Sequence, residues 1–190
     1  GRSGFGPGDG DRLCILVDLP DLALMHSLAF LREDGFQVQK YAHDIFHLGF
    51  ADGVLEELNY RENAFYAFKS TGGSNLDPED EATDADGTTL SLERDVYPNF
   101  DLILAITDYS LTAPLTAMAK RYGFRGATLH GLNETILETG LAVDYREVSV
   151  QAERFRTALT KADAFEIDFV TAVCICYQSD PCMVRIIKRH

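Results

Sequence analysis

Two short, uninterrupted apolar runs constrain this chain more than any other feature: Leu13-Cys14-Ile15-Leu16-Val17 and residues 101–107, DLILAIT. Runs this short, with no alternating polar positions, describe strands covered on both faces, the situation of a parallel sheet carrying helices. The first run ends at Asp18 and Pro20 and leads toward a helix. The second passes through Thr107-Asp108-Tyr109-Ser110 into Leu115, Met118, Ala119 and Tyr122, a helical spacing stopped by Gly123, and Gly126-Ala127-Thr128-Leu129 returns as the next strand. Strands alternating with helices pair in parallel through right-handed crossovers, so the chain is expected to be α/β, an open, mostly parallel sheet with helices on both faces.

The remaining elements follow from periodicity. From Leu22 the apolar positions Leu24, Leu28 and Leu31, then Val38, Tyr41, Ile45 and Leu48, predict two helices broken near Gly35; a strand over 36–42 is the competing reading. Ala64-Phe65-Tyr66-Ala67-Phe68 reads as a strand ended by the loop Thr71-Gly72-Gly73-Ser74-Asn75. The acidic stretch 77–87 offers almost nothing apolar and predicts a solvated surface excursion. Asn133 opens a short helix, and Tyr145, Val148, Ala152, Phe155, Ala158 and Leu159 mark a longer amphipathic one. Residues 165–169 alternate like a half-buried strand. Three segments are expected: a flexible N-terminus over 1–12, an α/β domain over 13–169, and a Cys-rich, then basic tail over 170–190.

Charge narrows the partners. With 17 Lys and Arg against 30 Asp and Glu, the formal net charge of -13 repels phosphate backbones and anionic lipid, which argues against nucleic acid and membrane partners. The polar, Gly-rich start resembles no secretion signal and no apolar stretch is long enough to span a bilayer, so a cytoplasmic location is expected. Its glycines precede the first strand instead of following it, which excludes a dinucleotide-binding turn. Of the four cysteines, Cys14 sits in the first apolar run and reads as a buried small hydrophobe.

Four motifs carry possible chemistry. His43 and His47, with Asp44 beside the first, have the spacing of a shared metal on one helical face, but no His-Glu-x-x-His pattern accompanies them and they read as surface histidines. Asp84-Ala85-Asp86-Gly87 resembles the opening of a calcium loop without its downstream glutamate. Cys174, Cys176 and Cys182 supply three thiols in a spacing unlike that of structural zinc sites. The binding candidates are Thr107, Asp108 and Ser110, at the strand end where open α/β sheets gather ligands; helix capping by Ser110 or Thr112 explains the same letters. No catalytic residue and no metal ligand is assigned.

The run 101–120, DLILAITDYSLTAPLTAMAK, followed by GFRGATLHG over 123–131 and by Asp144-Tyr145 with its helix, resembles the amino-terminal domain of the aminopeptidase T (thermophilic leucyl aminopeptidase-like) metallopeptidase family. The resemblance covers 13–169 and is best from Asp101 onward; its motifs are packing and turn patterns. It extends to the superfamily shared with iron-dependent dihydroxypyridine ring-opening dioxygenases. The resemblance implies a substrate-cavity-forming domain of a homodimeric metalloenzyme whose zinc, cobalt or iron ligands belong to a further domain. Metal-assisted hydrolysis of a small peptide, or oxygenase chemistry, would then belong to the complete protein, and this chain by itself would be inactive. The tail departs from the family pattern after Phe169, which reads as a truncated or frame-shifted product or as a hairpin of 173–177 with 183–187 around Asp180-Pro181. A non-enzymatic small-molecule binding domain is the alternative from another class.

Overall fold

The computed structural model describes residues 11–54, 60–162, 164–168, 172–177 and 185–188. Two compact units divide the chain, residues 1–137 and 138–190.

The first unit holds a six-stranded sheet in the order β4-β3-β2-β1-β5-β6, built from β1 (Asp11–Leu19), β2 (Tyr60–Lys69), β3 (Ala82–Thr83), β4 (Thr89–Leu90), β5 (Leu102–Thr107) and β6 (Arg125–His130). β2, β1, β5 and β6 run parallel, with Ile15 beside Phe65 and Leu104, while β3 and β4 extend the β2 edge antiparallel. The expected α/β fold with an open, mostly parallel sheet is therefore what forms. β1 sits centrally, and its residues from Leu13 to Val17 are at most 1% exposed, as an uninterrupted apolar run requires.

Both faces are covered. On one, Cys14 and Leu16 of β1, Ile103 and Ala105 of β5 and Phe68 of β2 pack with Leu92, Val96, Tyr97, Leu115 and Phe124. These come from a π-helical turn at Leu92–Val96 and from the region of helix α2, whose range is Thr112–Tyr122 counted after helix α1 at Gln37–Tyr41. Gly123 ends α2 at φ 85°, the left-handed C-cap that glycine adopts without a Cβ penalty. On the opposite face Phe30 stacks near Phe65, ring centroids 6.3 Å apart, and His43 and His47 pack on the same ring.

Three expectations are corrected. Strand β1 begins at Asp11, inside the segment read as a flexible start, because buried Asp11 pairs with the Arg125 guanidinium. The segment after Pro20 is a 3₁₀ helix, Leu22–Arg32, kinked where Ser27 and Leu28 adopt φ 51° and 52°. The kink shifts the helical phase, so Met25 and Phe30 are buried while Leu24, Leu28 and Leu31 are only half-buried. The acidic stretch is not wholly solvated: Ala82 and Thr83 are buried as β3, since the β2 edge needs a backbone partner and two small residues suffice. Over 36–42 the helix reading is what forms and the competing strand does not: α1 continues into a π-helical turn over Ala42–His47.

The second unit contains helix α3 (Tyr145–Thr160) and an antiparallel sheet of β7 (Ala164–Asp168), β8 (Ala172–Tyr177) and β9 (Arg185–Lys188) in sequence order. Strands β8 and β9 pair antiparallel, near the hairpin positions expected from the tail, and the turn at Asp180-Pro181 lies outside the described residues. Asp144 caps α3 through its carboxylate, which accepts from the Arg146 amide. The apolar stripe of α3 is exposed, Phe155 at 69% and Tyr145 at 56%.

Candidate functional site

The sheet order places β2 on one side of β1 and β5 on the other, so the chain leaves the carboxyl ends of β1 and β5 in opposite directions. A crevice opens at such a reversal because the connecting segments diverge, and open α/β sheets bind ligands there. Two carboxylates mark this point: Asp18 near the end of β1 and Asp108 immediately after β5. Asp18 is 2% exposed, whereas Asp108 faces solvent.

Gln39 of α1 lies between them. Its Nε2 donates to Asp18 Oδ1 and to Asp108 Oδ2, each at 3.0 Å, and approaches the Asp18 carbonyl oxygen at 2.9 Å. Asp18 Oδ1 also accepts from the Asp108 amide at 2.9 Å, and Oδ2 from Ser70 Oγ at 3.1 Å. Burial raises the Asp18 pKa from its ordinary value; the hydrogen bond from the Asp108 amide opposes this, the Asp108 charge adds to the rise, and the hydrogen bonds from Gln39 and Ser70 lower it. The other amide atom, Gln39 Oε1, is buried without a partner although Gln39 is fully enclosed.

The three binding candidates separate in role. Asp108 joins the cluster. Thr107 is fully buried and its Oγ1 donates to the Tyr109 carbonyl at 2.6 Å, which shapes the strand-end loop. Ser110 Oγ contacts Thr112 Oγ1 at 3.0 Å and receives the Thr112 amide at 3.4 Å. The stronger cap of α2 is Asn75, whose Oδ1 accepts from the Ala113 amide at 3.0 Å across a distance of 38 residues in sequence. With Thr112 and Ala113 engaged and Pro114 lacking an N–H, the start of α2 has no spare donor in its first three positions for an anion.

The other motifs resolve structurally. His43 is buried, not on the surface as expected, and its Nδ1 lies 2.6 Å from Asp44 Oδ1. The His43 and His47 ring centroids are 5.8 Å apart, and burial lowers the His47 pKa, with the neighbouring Asn63 amide opposing. The sequence reading missed this inward face because it followed the apolar letters Tyr41, Ile45 and Leu48, whereas Val38, Gln39, Ala42 and His43 form the buried face and Ile45 and Leu48 are exposed at 45% and 47%. Asp84 Oδ1 accepts from the Asp86 and Thr88 amides, so the calcium-like letters close their own turn. Cys182 lies outside the described residues, as do the side chains of Cys174 and Cys176. Among the described residues no group of three or more His, Cys, Asp or Glu is disposed to hold a metal, and no helix is long and apolar enough to cross a membrane.

A groove of about 330 Å³ between α2 and β6 is lined by Leu115, Ala119, Phe124 and Gly126, and among its described lining residues Lys120 alone is titratable. The chemistry therefore gathers at the strand ends and not in this cavity. Asp18, Gln39 and Ser70 escaped the sequence reading because they lie 69, 90 and 52 residues from their partners in the pairings Gln39 to Asp108, Asp18 to Asp108 and Asp18 to Ser70. The available signal was a carboxylate directly after each of the two apolar runs. No family model matches the chain, and neither a curated protein nor a solved structure does.

Proposed function

We propose that the first unit binds a hydrated hard divalent cation of the magnesium class between Asp18 and Asp108, and through it a small phosphate-bearing ligand. The observation that carries this reading is the pair of carboxylates at the reversal of strand order, both in contact with one Gln39 nitrogen. Magnesium is held by one or two carboxylates, keeps several waters and completes its shell with substrate phosphate oxygens, so a pair without further acidic ligands suits it. In a chain of net charge -13 the cation also supplies the attraction that an anionic ligand otherwise lacks. Asp108 is the outer ligand, reachable from solvent, and Asp18 the inner one, oriented by Ser70 and by the Asp108 amide. The cation would polarise a phosphoryl oxygen and orient water, the chemistry of phosphoester hydrolysis.

Peptide hydrolysis, or ring opening, by a larger metalloprotein dimer is the competing reading from the aminopeptidase T resemblance. One assay set separates them. Manganese binding is measured by electron paramagnetic resonance on the wild type, Asp18→Asn and Asp108→Asn, beside hydrolysis of bis(p-nitrophenyl) phosphate and leucine p-nitroanilide. Binding that falls at least roughly tenfold in each variant supports the site. Undiminished binding in both, or amide hydrolysis without phosphoester hydrolysis, overturns it.

A further inference from the structure

The Gln39 amide is placed unusually for a merely structural residue. Its NH₂ has two hydrogens and faces three oxygens, the Asp18 carbonyl, Asp18 Oδ1 and Asp108 Oδ2, all within 3.0 Å. Its carbonyl oxygen, in the same planar group, is enclosed with no donor at all. A buried acceptor left unmade is costly, and native structures seldom keep one without a use. The orientation of the amide is nonetheless dictated, because three acceptors around one position require the nitrogen there. The partial positive charge of that NH₂ occupies the place between the carboxylates that a cation would take.

We infer that Gln39 is an exchangeable plug: the NH₂ holds the carboxylates together without cation, and on cation binding the amide turns so that Oε1 becomes a ligand beside Asp18 and Asp108. The inference rests on the cation reading above and assigns Gln39 the part of positioning residue in one state and ligand in the other. Turning the amide without a cation would set a carbonyl against two carboxylates and is unfavourable. With a hard cation present the same carbonyl is a preferred donor, and Oε1 gains the partner it lacks. The two states differ by one side-chain rotation, so the β1 and β5 ends need not move.

The test uses the full chain and compares the wild type with Gln39→Met, which keeps length and burial but removes both polar atoms, and with Gln39→Glu. Manganese affinity is expected to fall on the order of tenfold in Gln39→Met and to rise in Gln39→Glu, where the position presents oxygen only. Affinity unchanged or higher in Gln39→Met would mean that the amide only competes with the cation, and overturns the inference while leaving the cation site standing. No binding by the wild type removes the site and the inference together. Should Gln39→Met fail to fold by circular dichroism, the wild-type side-chain amide decides by nuclear magnetic resonance under magnesium titration. A large shift and faster exchange of the Gln39 NH₂ pair support the turn; an unchanged pair overturns it.

Discussion

In the folded chain the Asp18 carboxyl is almost fully enclosed, and that burial raises its pKa against the hydrogen bond it accepts from the Asp108 amide. An acid whose folded pKa exceeds its unfolded one, about 3.9 for Asp, contributes stability that is present below the unfolded value and lost as pH rises through the folded one. Urea unfolding of the wild type should therefore show stability declining over that rise more than Asp18→Asn does. Parallel profiles would assign the decline elsewhere. At Ile103, fully enclosed near the start of β5, substitution by Ala removes buried packing and should cost about 3 kcal/mol.

Elements here depend on distant partners more than on their own letters. The first turn of α2 is capped by Asn75, which itself holds φ 61°, so Asn75→Gly should lose the cap alone, about 1 kcal/mol, and Asn75→Ala more, because Ala also resists the left-handed conformation. Thermal unfolding of the two variants gives the order; Ala as the milder change would show that the cap does not operate. Helix α3 was legible from its spacing, but spacing did not say that Val148, Phe155 and Leu159 stay exposed, at 45%, 69% and 43%. This stripe is expected to bind an apolar fluorescent dye in the native chain, and Phe155→Lys to reduce the signal markedly. Equal fluorescence in the variant would place the dye elsewhere.

Over the whole molecule the excess of acidic residues works against compactness, so both sodium chloride and magnesium should raise the melting temperature by screening. A ligand that binds only the folded state adds stability with its concentration. Magnesium at matched ionic strength should then stabilise the wild type beyond sodium, and the surplus should vanish in Asp108→Asn. A surplus of the same size in the variant would mean that the cation acts on the general field and not at the strand ends.

The alternation of apolar runs with helical periods was enough to determine the mostly parallel α/β sheet, the burial of β1 and β5 and the end of α2 at Gly123, because burial on both strand faces and glycine's backbone freedom are local demands written in local letters. Asp108 was legible too, as the polar residue directly after a buried strand. Which way Gln39 and His43 face, and that Asp18, Ser70 and Asn75 converge on the same edge, only the tertiary structure decided. A helical period in apolar letters does not by itself decide which neighbouring face turns inward, and partners many residues apart meet only when strand order brings their ends together.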